Sequence, residues 1–150
     1  FEFMISIEID RSIPVETRET KPSEPLRSAK ALLVEDNTVN QMLAKALLGK
    51  LGISVVLAED GRKAVEQLRQ TPDEFDIVLM DIQMPEMDGY EATHLIRTEL
   101  GLENLPIVAL TAHATREERD RCLASGMNDH LSKPFSKQSL ADTLKKWLNP

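Results

Sequence analysis

The chain reads as an α/β protein, a (βα)5 doubly wound fold in which a five-stranded parallel sheet carries helices on both faces. Three observations predict it. Short apolar runs recur from Lys30 onward, longer stretches of helical period separate them, and the runs have the length of strands rather than helices.

The first strand is expected near 31–34, and Leu43, Ala46, Leu47 and Leu51 give the helix behind it an apolar face. A second strand near 54–58 precedes a helix marked by Ala64, Val65 and Leu68. The third run, 77–80, ends at Met80 and is followed by a helix with Ala92, Leu95 and Ile96 on one face. A fourth strand near 107–110 leads into TREERDRCLA, residues 115–124, a polar segment that as a helix covers the sheet thinly and is the element expected to move. The fifth strand, near 129–131, precedes a last helix carrying Leu140, Leu144 and Leu148. Gly126 is expected to cap the polar helix, and Gly89 to permit a turn before the third helix.

The start of the chain differs. Phe1, Phe3, Ile5, Ile7 and Ile9 alternate with mostly polar residues, the period of a half-buried strand, whereas residues 11–28 place Pro14, Pro22 and Pro25 among charged and polar neighbours. The expected division is a strand-like tail and flexible linker over 1–28 and a working domain over 29–150. The tail reads either as the end of a preceding domain or, for residues 1–3, as an expression scar before a start at Met4.

Composition narrows the function. Lys and Arg number 18 against 25 Asp and Glu, a net charge of −7, which argues against a duplex-DNA binder that works by neutralising phosphates. The apolar runs fall far short of the roughly 20 residues of a membrane span. Cys122 is the only cysteine, so no internal disulfide forms and a reducing, cytoplasmic setting is expected, including the cytoplasmic part of a membrane-anchored protein. No membrane or nucleic-acid contact is expected of this segment. The sequence ends at Pro150, and the expectation is a relay or single-domain regulator rather than a transcription factor.

Glu35 and Asp36 follow the first expected strand and Asp81 the third, so three carboxylates stand at strand C-terminal ends, where open parallel sheets hold their ligands. One such acid is commonly just solvated. Three that converge repel, by roughly 4 kcal/mol per pair about 4 Å apart at an effective dielectric near 20, and so call for a cation. A hard divalent ion with oxygen ligands fits, Mg2+ most simply and Mn2+ as an alternative. Thr111 and Lys133 follow the fourth and fifth strands, and a hydroxyl and an ammonium facing a metal-bound carboxylate suit a phosphoryl group. Asp81 is then the nucleophile of an acyl phosphate. Pro134, directly after Lys133, is a candidate for a cis bond. Met80, Met84 and Met87 read as packing residues, and His94 as a surface residue on a helix.

The strings LLVEDNTVNQ (32–41), IVLMDIQMPEMDGYEA (77–92), IVALTA (107–112) and SKPF (132–135) resemble the receiver domain of two-component response regulators, the CheY-like family, over about residues 29–149. The forms VEDNxxNQ and MDxQMPxMDG are most similar to receivers fused to hybrid sensor histidine kinases, and FEFMISIEI resembles the last strand of a kinase ATPase domain.

The resemblance implies strand order 2-1-3-4-5. It implies that Asp81 is the phosphoacceptor, that Glu35, Asp36, Asp81 and the backbone carbonyl of Gln83 hold Mg2+, and that the amides of Ile82 and Ala112 contact phosphoryl oxygens. Thr111 becomes the switch hydroxyl and Lys133 the salt-bridge partner. His130 stands where the family often has Tyr or Phe, and an imidazole there can titrate near neutrality. Gln83 and His113 occupy positions where the family tunes phosphoryl lifetime.

The expected function is thus a phosphoacceptor in a phosphorelay. It takes phosphoryl from the phosphohistidine of a histidine kinase or a histidine phosphotransfer protein and hydrolyses it slowly. It changes a protein-binding face made by the polar helix, the fifth strand and the last helix. The expected form is monomeric, and the expected parent a histidine kinase. The alternatives are a degenerate receiver that only binds proteins, a Mg2+-dependent phosphohydrolase, whose acid two residues after the nucleophile would here be Gln83, and a flavodoxin-like nucleotide module.

Overall fold

The computed structural model describes residues 28–113 and 115–148. The expectations for the tail and nearly all of the linker lie outside them. Strands β1 (Ala29–Val34), β2 (Ile53–Ala58), β3 (Ile77–Asp81), β4 (Ile107–Thr111) and β5 (Asp129–Ser132) alternate with α1 (Thr38–Lys50), α2 (Gly61–Gln70), α3 (Gly89–Thr98), α4 (Arg116–Ala124) and α5 (Lys137–Leu148).

All strand pairs are parallel and the order across the sheet is β2-β1-β3-β4-β5, which is the expected 2-1-3-4-5. Successive side chains of a strand point to opposite faces, and the two halves of the core separate accordingly. Leu32, Val34, Val78, Met80, Ile107 and Ala109 pack on one face with Leu68 of α2, Ile96 of α3 and Cys122 of α4. Ala31, Leu33, Ile77, Leu79, Val108 and Leu110 pack on the other with Leu48 of α1 and Leu140 and Leu144 of α5. Burying each Leu is worth about 1.5–3 kcal/mol relative to exposure, so the five apolar runs that signal the fold are also its main adhesive.

Side chains fix where helices start. Asn37, Asp60, Asp88 and Thr115 accept from the backbone N–H three residues on, and Asp88 with Glu91 completes a capping box. At the end of α4, Gly126 takes φ +106° while the Met127 N–H closes back onto Cys122 O, as expected of a left-handed cap.

The first helix corrects its expectation. Ala44 and Leu48 face the core, Leu47 and Leu51 are half-buried, and Leu43 and Ala46 are exposed, Leu43 at 59%. Met42, Leu43, Ala44, Ala46, Leu47 and Leu48 form an apolar band broader than one face, so spacing alone could not fix the helix's rotation. The path from β1 through the Asn37 cap does. Val39 and Met42 are exposed beside Leu43. Among the described residues, no helix is long and apolar enough to cross a membrane.

Candidate functional site

The carboxyl ends of β1, β3, β4 and β5 surround a cleft of about 190 Å³, lined among others by Glu35, Asp36, Asp81, Gln83, Ala112 and Lys133. Glu35 leaves β1 with its N–H on Ala58 O and is almost fully buried. Its carboxylate accepts from the Asn37 N–H at 3.3 Å, and the Gln41 amide donates to its carbonyl at 2.7 Å. Asp36, next in the chain, is exposed at the mouth. Asp81 closes β3, buried at 5% exposure, and its Oδ1 accepts from the Gln83 N–H at 3.4 Å.

Lys133 reaches this pair from β5. Its backbone N–H donates to Thr111 O at 2.7 Å, and its Nζ stands 3.0 Å from Glu35 Oε1 and 3.0 Å from Asp81 Oδ1. The Lys133–Pro134 bond is cis, as expected.

Burial, reinforced by the charge of Glu35, pushes the Asp81 carboxyl up to about 6 against the pull of Lys133. Burial also pushes Glu35 up, but hydrogen bonds from Lys133 and its neighbours outweigh it and hold Glu35 below the usual carboxylate range. Burial lowers Lys133, yet the two acids leave it raised. Of the two buried acids, Asp81 takes up a proton first.

Carboxylate oxygens of Glu35, Asp36 and Asp81 lie within 4.8 Å of one another. Three hard oxygen donors at that spacing, two on buried residues, fit a small divalent cation. Thr111 is buried at 1% exposure, and its hydroxyl has no hydrogen-bond partner among the described residues. A buried oxygen without a partner is costly.

The other expected residues fall out as follows. Ala112 lines the cleft, as does Ile82, but the Ile82 N–H is donated to Leu110 O at 3.3 Å, and the amide facing Asp81 is that of Gln83. His113 and His94 are exposed. His130 is partly exposed on β5, with its Nδ1 3.9 Å from Asp129 Oδ1 and outside the cleft. Met80 is fully buried, and Met84 and Met87 pack against the same core face. Gly89 lies so close that a Cβ would stand 2.6 Å from Asp81 O, which makes it a close-approach glycine as well as a turn residue.

Sequence reasoning missed Asn37, Asn40 and Glu118 in the cleft wall. The Asn37 cap, three residues before Asn40, was a usable signal. Nothing local marks Glu118, which reaches the cleft from a helix that reads only as polar.

The model of the response regulator receiver domain matches residues 31–145. The sensor protein GacS of Pseudomonas syringae pv. syringae is 47% identical over 124 residues, 81% of this chain and 14% of that protein. This chain therefore spans only a small part of that relative. The receiver domain of the sensor histidine kinase PA1611 from Pseudomonas aeruginosa PAO1, solved with a magnesium ion in its active site cleft, is 42% identical with a TM-score of 0.75, covering 82% of this chain and 99% of that one. The receiver domain of Ssk1 from Saccharomyces cerevisiae, solved with the histidine phosphotransfer protein Ypd1, is 30% identical with a TM-score of 0.75, covering 83% of this chain and 91% of that one. The parallel 2-1-3-4-5 sheet, the acids gathered at its carboxyl edge and these likenesses agree, and the chain belongs to the family of response regulator receiver domains.

Proposed function

We propose that Asp81 accepts a phosphoryl group from a phosphohistidine and that the resulting acyl phosphate is the signal this domain carries. One observation carries the assignment of roles: the buried Asp81 is held at 3.0 Å by Lys133 on the floor of a cleft that also presents Glu35 and Asp36. A degenerate receiver is disfavoured, because the acid trio, Thr111 and Lys133 are all in place.

A carboxylate oxygen of Asp81 attacks phosphorus as the P–N bond breaks, and the departing imidazole keeps the electron pair and is protonated by solvent. Glu35, Asp36 and Asp81, with the Gln83 carbonyl, would hold Mg2+, which when bound neutralises charge on the transferring group. Mn2+ suits the same oxygen donors. In this reading Lys133 keeps Asp81 oriented and offers its charge to a phosphoryl oxygen, while the Ala112 amide and the Thr111 hydroxyl donate to others. The inward turn of Thr111 draws on the loop to α4 and so alters the face of α4, β5 and α5, where His130 lies.

The donor has a surface of its own. Val39, Met42 and Leu43 on α1 are each more than half exposed, and Leu43 lines a groove of about 550 Å³ that runs to Lys133, Pro134 and Phe135. The groove shares Glu35, Ala112 and Lys133 with the cleft that holds Asp81, and an apolar patch beside it suits a helical domain that presents a phosphohistidine. The likeness to receivers of sensor histidine kinases supports a hybrid kinase parent, and the likeness to the Ssk1 receiver solved with Ypd1 supports a histidine phosphotransfer partner; the domain is proposed to be cytoplasmic and monomeric.

The test is intact mass after incubation with Mg2+ and phosphoramidate. The expected result is one added phosphoryl, absent in Asp81→Asn and with a chelator. A Met42→Glu variant should accept normally from phosphoramidate but poorly from a phosphorylated histidine domain. No adduct on the unmodified protein would overturn the assignment.

A further inference from the structure

We propose that Tyr90 is a positioning residue that latches α4 in the resting arrangement, by holding Glu118 on the cleft wall, and that this latch opposes phosphorylation of Asp81. The inference rests on the phosphoacceptor reading and concerns how that site is regulated.

Tyr90 sits on the first turn of α3, and its hydroxyl donates to Glu118 Oε2 of α4 at 2.7 Å. The Arg121 guanidinium, one turn further along α4, lies 4.4 Å from the centre of the Tyr90 ring. These contacts tie two helices together across a cavity of about 530 Å³ that continues to Asp36 and Gln83. Burial first, and the Glu118 carboxylate second, push the Tyr90 hydroxyl well above its usual range, so it remains a donor at any physiological pH.

Two features give this latch leverage. First, α4 is weakly held otherwise: of its residues only Cys122 is buried. Second, Glu118 belongs both to this cavity and to the wall of the cleft that holds Asp81. A phosphoryl group adds roughly −1.5 to −2 charge to that cleft, and a carboxylate fixed in its wall is repelled. Thr111, whose hydroxyl has no partner among the described residues, lies four positions before Thr115, the cap of α4. Inward movement of Thr111 and release of Glu118 therefore displace the same helix. Contacts made in only one of two arrangements bias the equilibrium by their own strength, and the ligand of the other arrangement must overcome it.

The test measures affinity for beryllofluoride with Mg2+, and hydrogen exchange of α4 amides, in the unmodified protein, Tyr90→Phe, Glu118→Ala and the double variant. Tyr90→Phe keeps the ring and its stack on Arg121 and removes only the hydroxyl. The expected result is roughly fivefold tighter beryllofluoride binding in Tyr90→Phe, the scale of one net hydrogen bond. Because both act through one contact, the double variant should bind no tighter than Glu118→Ala. Exchange in α4 should be faster in resting Tyr90→Phe than in the resting unmodified protein, and equal in the two once beryllofluoride is bound. Unchanged or weaker beryllofluoride binding in Tyr90→Phe, beside normal binding in the unmodified protein, overturns the latch alone. Failure of the unmodified protein to bind beryllofluoride overturns the phosphoacceptor reading and the latch with it.

Discussion

The ammonium of Lys133 lies 3.0 Å from Oδ1 of Asp81 and bridges it to Glu35, so two buried acids share one cation. Lys133→Met keeps the stem and removes the charge. Phosphorylation by phosphoramidate is expected to slow on the order of a hundredfold, because a preorganised donor to the phosphoryl is lost. Mg2+ binding, followed by calorimetry, should persist because the acids remain. Phosphorylation at the unmodified rate would show that Lys133 only serves packing.

The raised Asp81 carboxyl makes stability depend on pH. Its folded value of about 6 lies above the ordinary 3.8, so the fold favours the protonated form. That contribution is full below about 3.8 and is lost as pH rises through about 6. Asp81→Asn cannot ionise and escapes the loss. In chelator at pH 7.5 it should be more stable by roughly 1–3 kcal/mol in urea unfolding, with the gain shrinking toward pH 4. A gain that grows on acidification would contradict the assignment.

Glu86 occupies the left-handed region at φ +67° in the loop between β3 and α3. For a residue with a Cβ this costs about 1 kcal/mol, partly offset in a glycine variant by its freer unfolded chain. The Glu86 ion pair with Arg62 is 3.7 Å long and exposed, and is worth little. Glu86→Gly is therefore expected to leave stability unchanged or raise it by up to about 1 kcal/mol. A clear loss by thermal unfolding would assign the side chain a role not visible in its contacts.

Arg97 donates to the carbonyls of Gly126, Leu102 and Leu105 and to Asn128 Oδ1, at 2.6–2.9 Å. It thereby ties the loop before β4 to the loop before β5. Lysine cannot reproduce the planar fork. Arg97→Lys should cost about 1.5–3 kcal/mol in denaturant unfolding, and a cost near zero would mean that water replaces the lost donors.

The sheet, its four crossovers and the residue types at its carboxyl edge were legible in the sequence. The run Ile77–Met80, apolar throughout, short and followed by Asp81, reads as a strand buried on both faces with an acid at its end. The cis bond before Pro134 and the acids Glu35, Asp36 and Asp81 were legible for the same reason, since local pattern and position in the motif coincide. Rotation and long-range pairing were not legible. The broad apolar band of α1 left its buried face undetermined until Asn37 and the β1 exit set it, which is why Leu43 lies in solvent. Only the tertiary structure could bring Glu118 to Tyr90 across 28 positions of chain, send the Ile82 amide to Leu110, and leave the Thr111 hydroxyl buried without a partner among the described residues. Periodicity records which face of an element avoids water, whereas the contacts that regulate this site are made by polar side chains whose partners depend on how the helices pack.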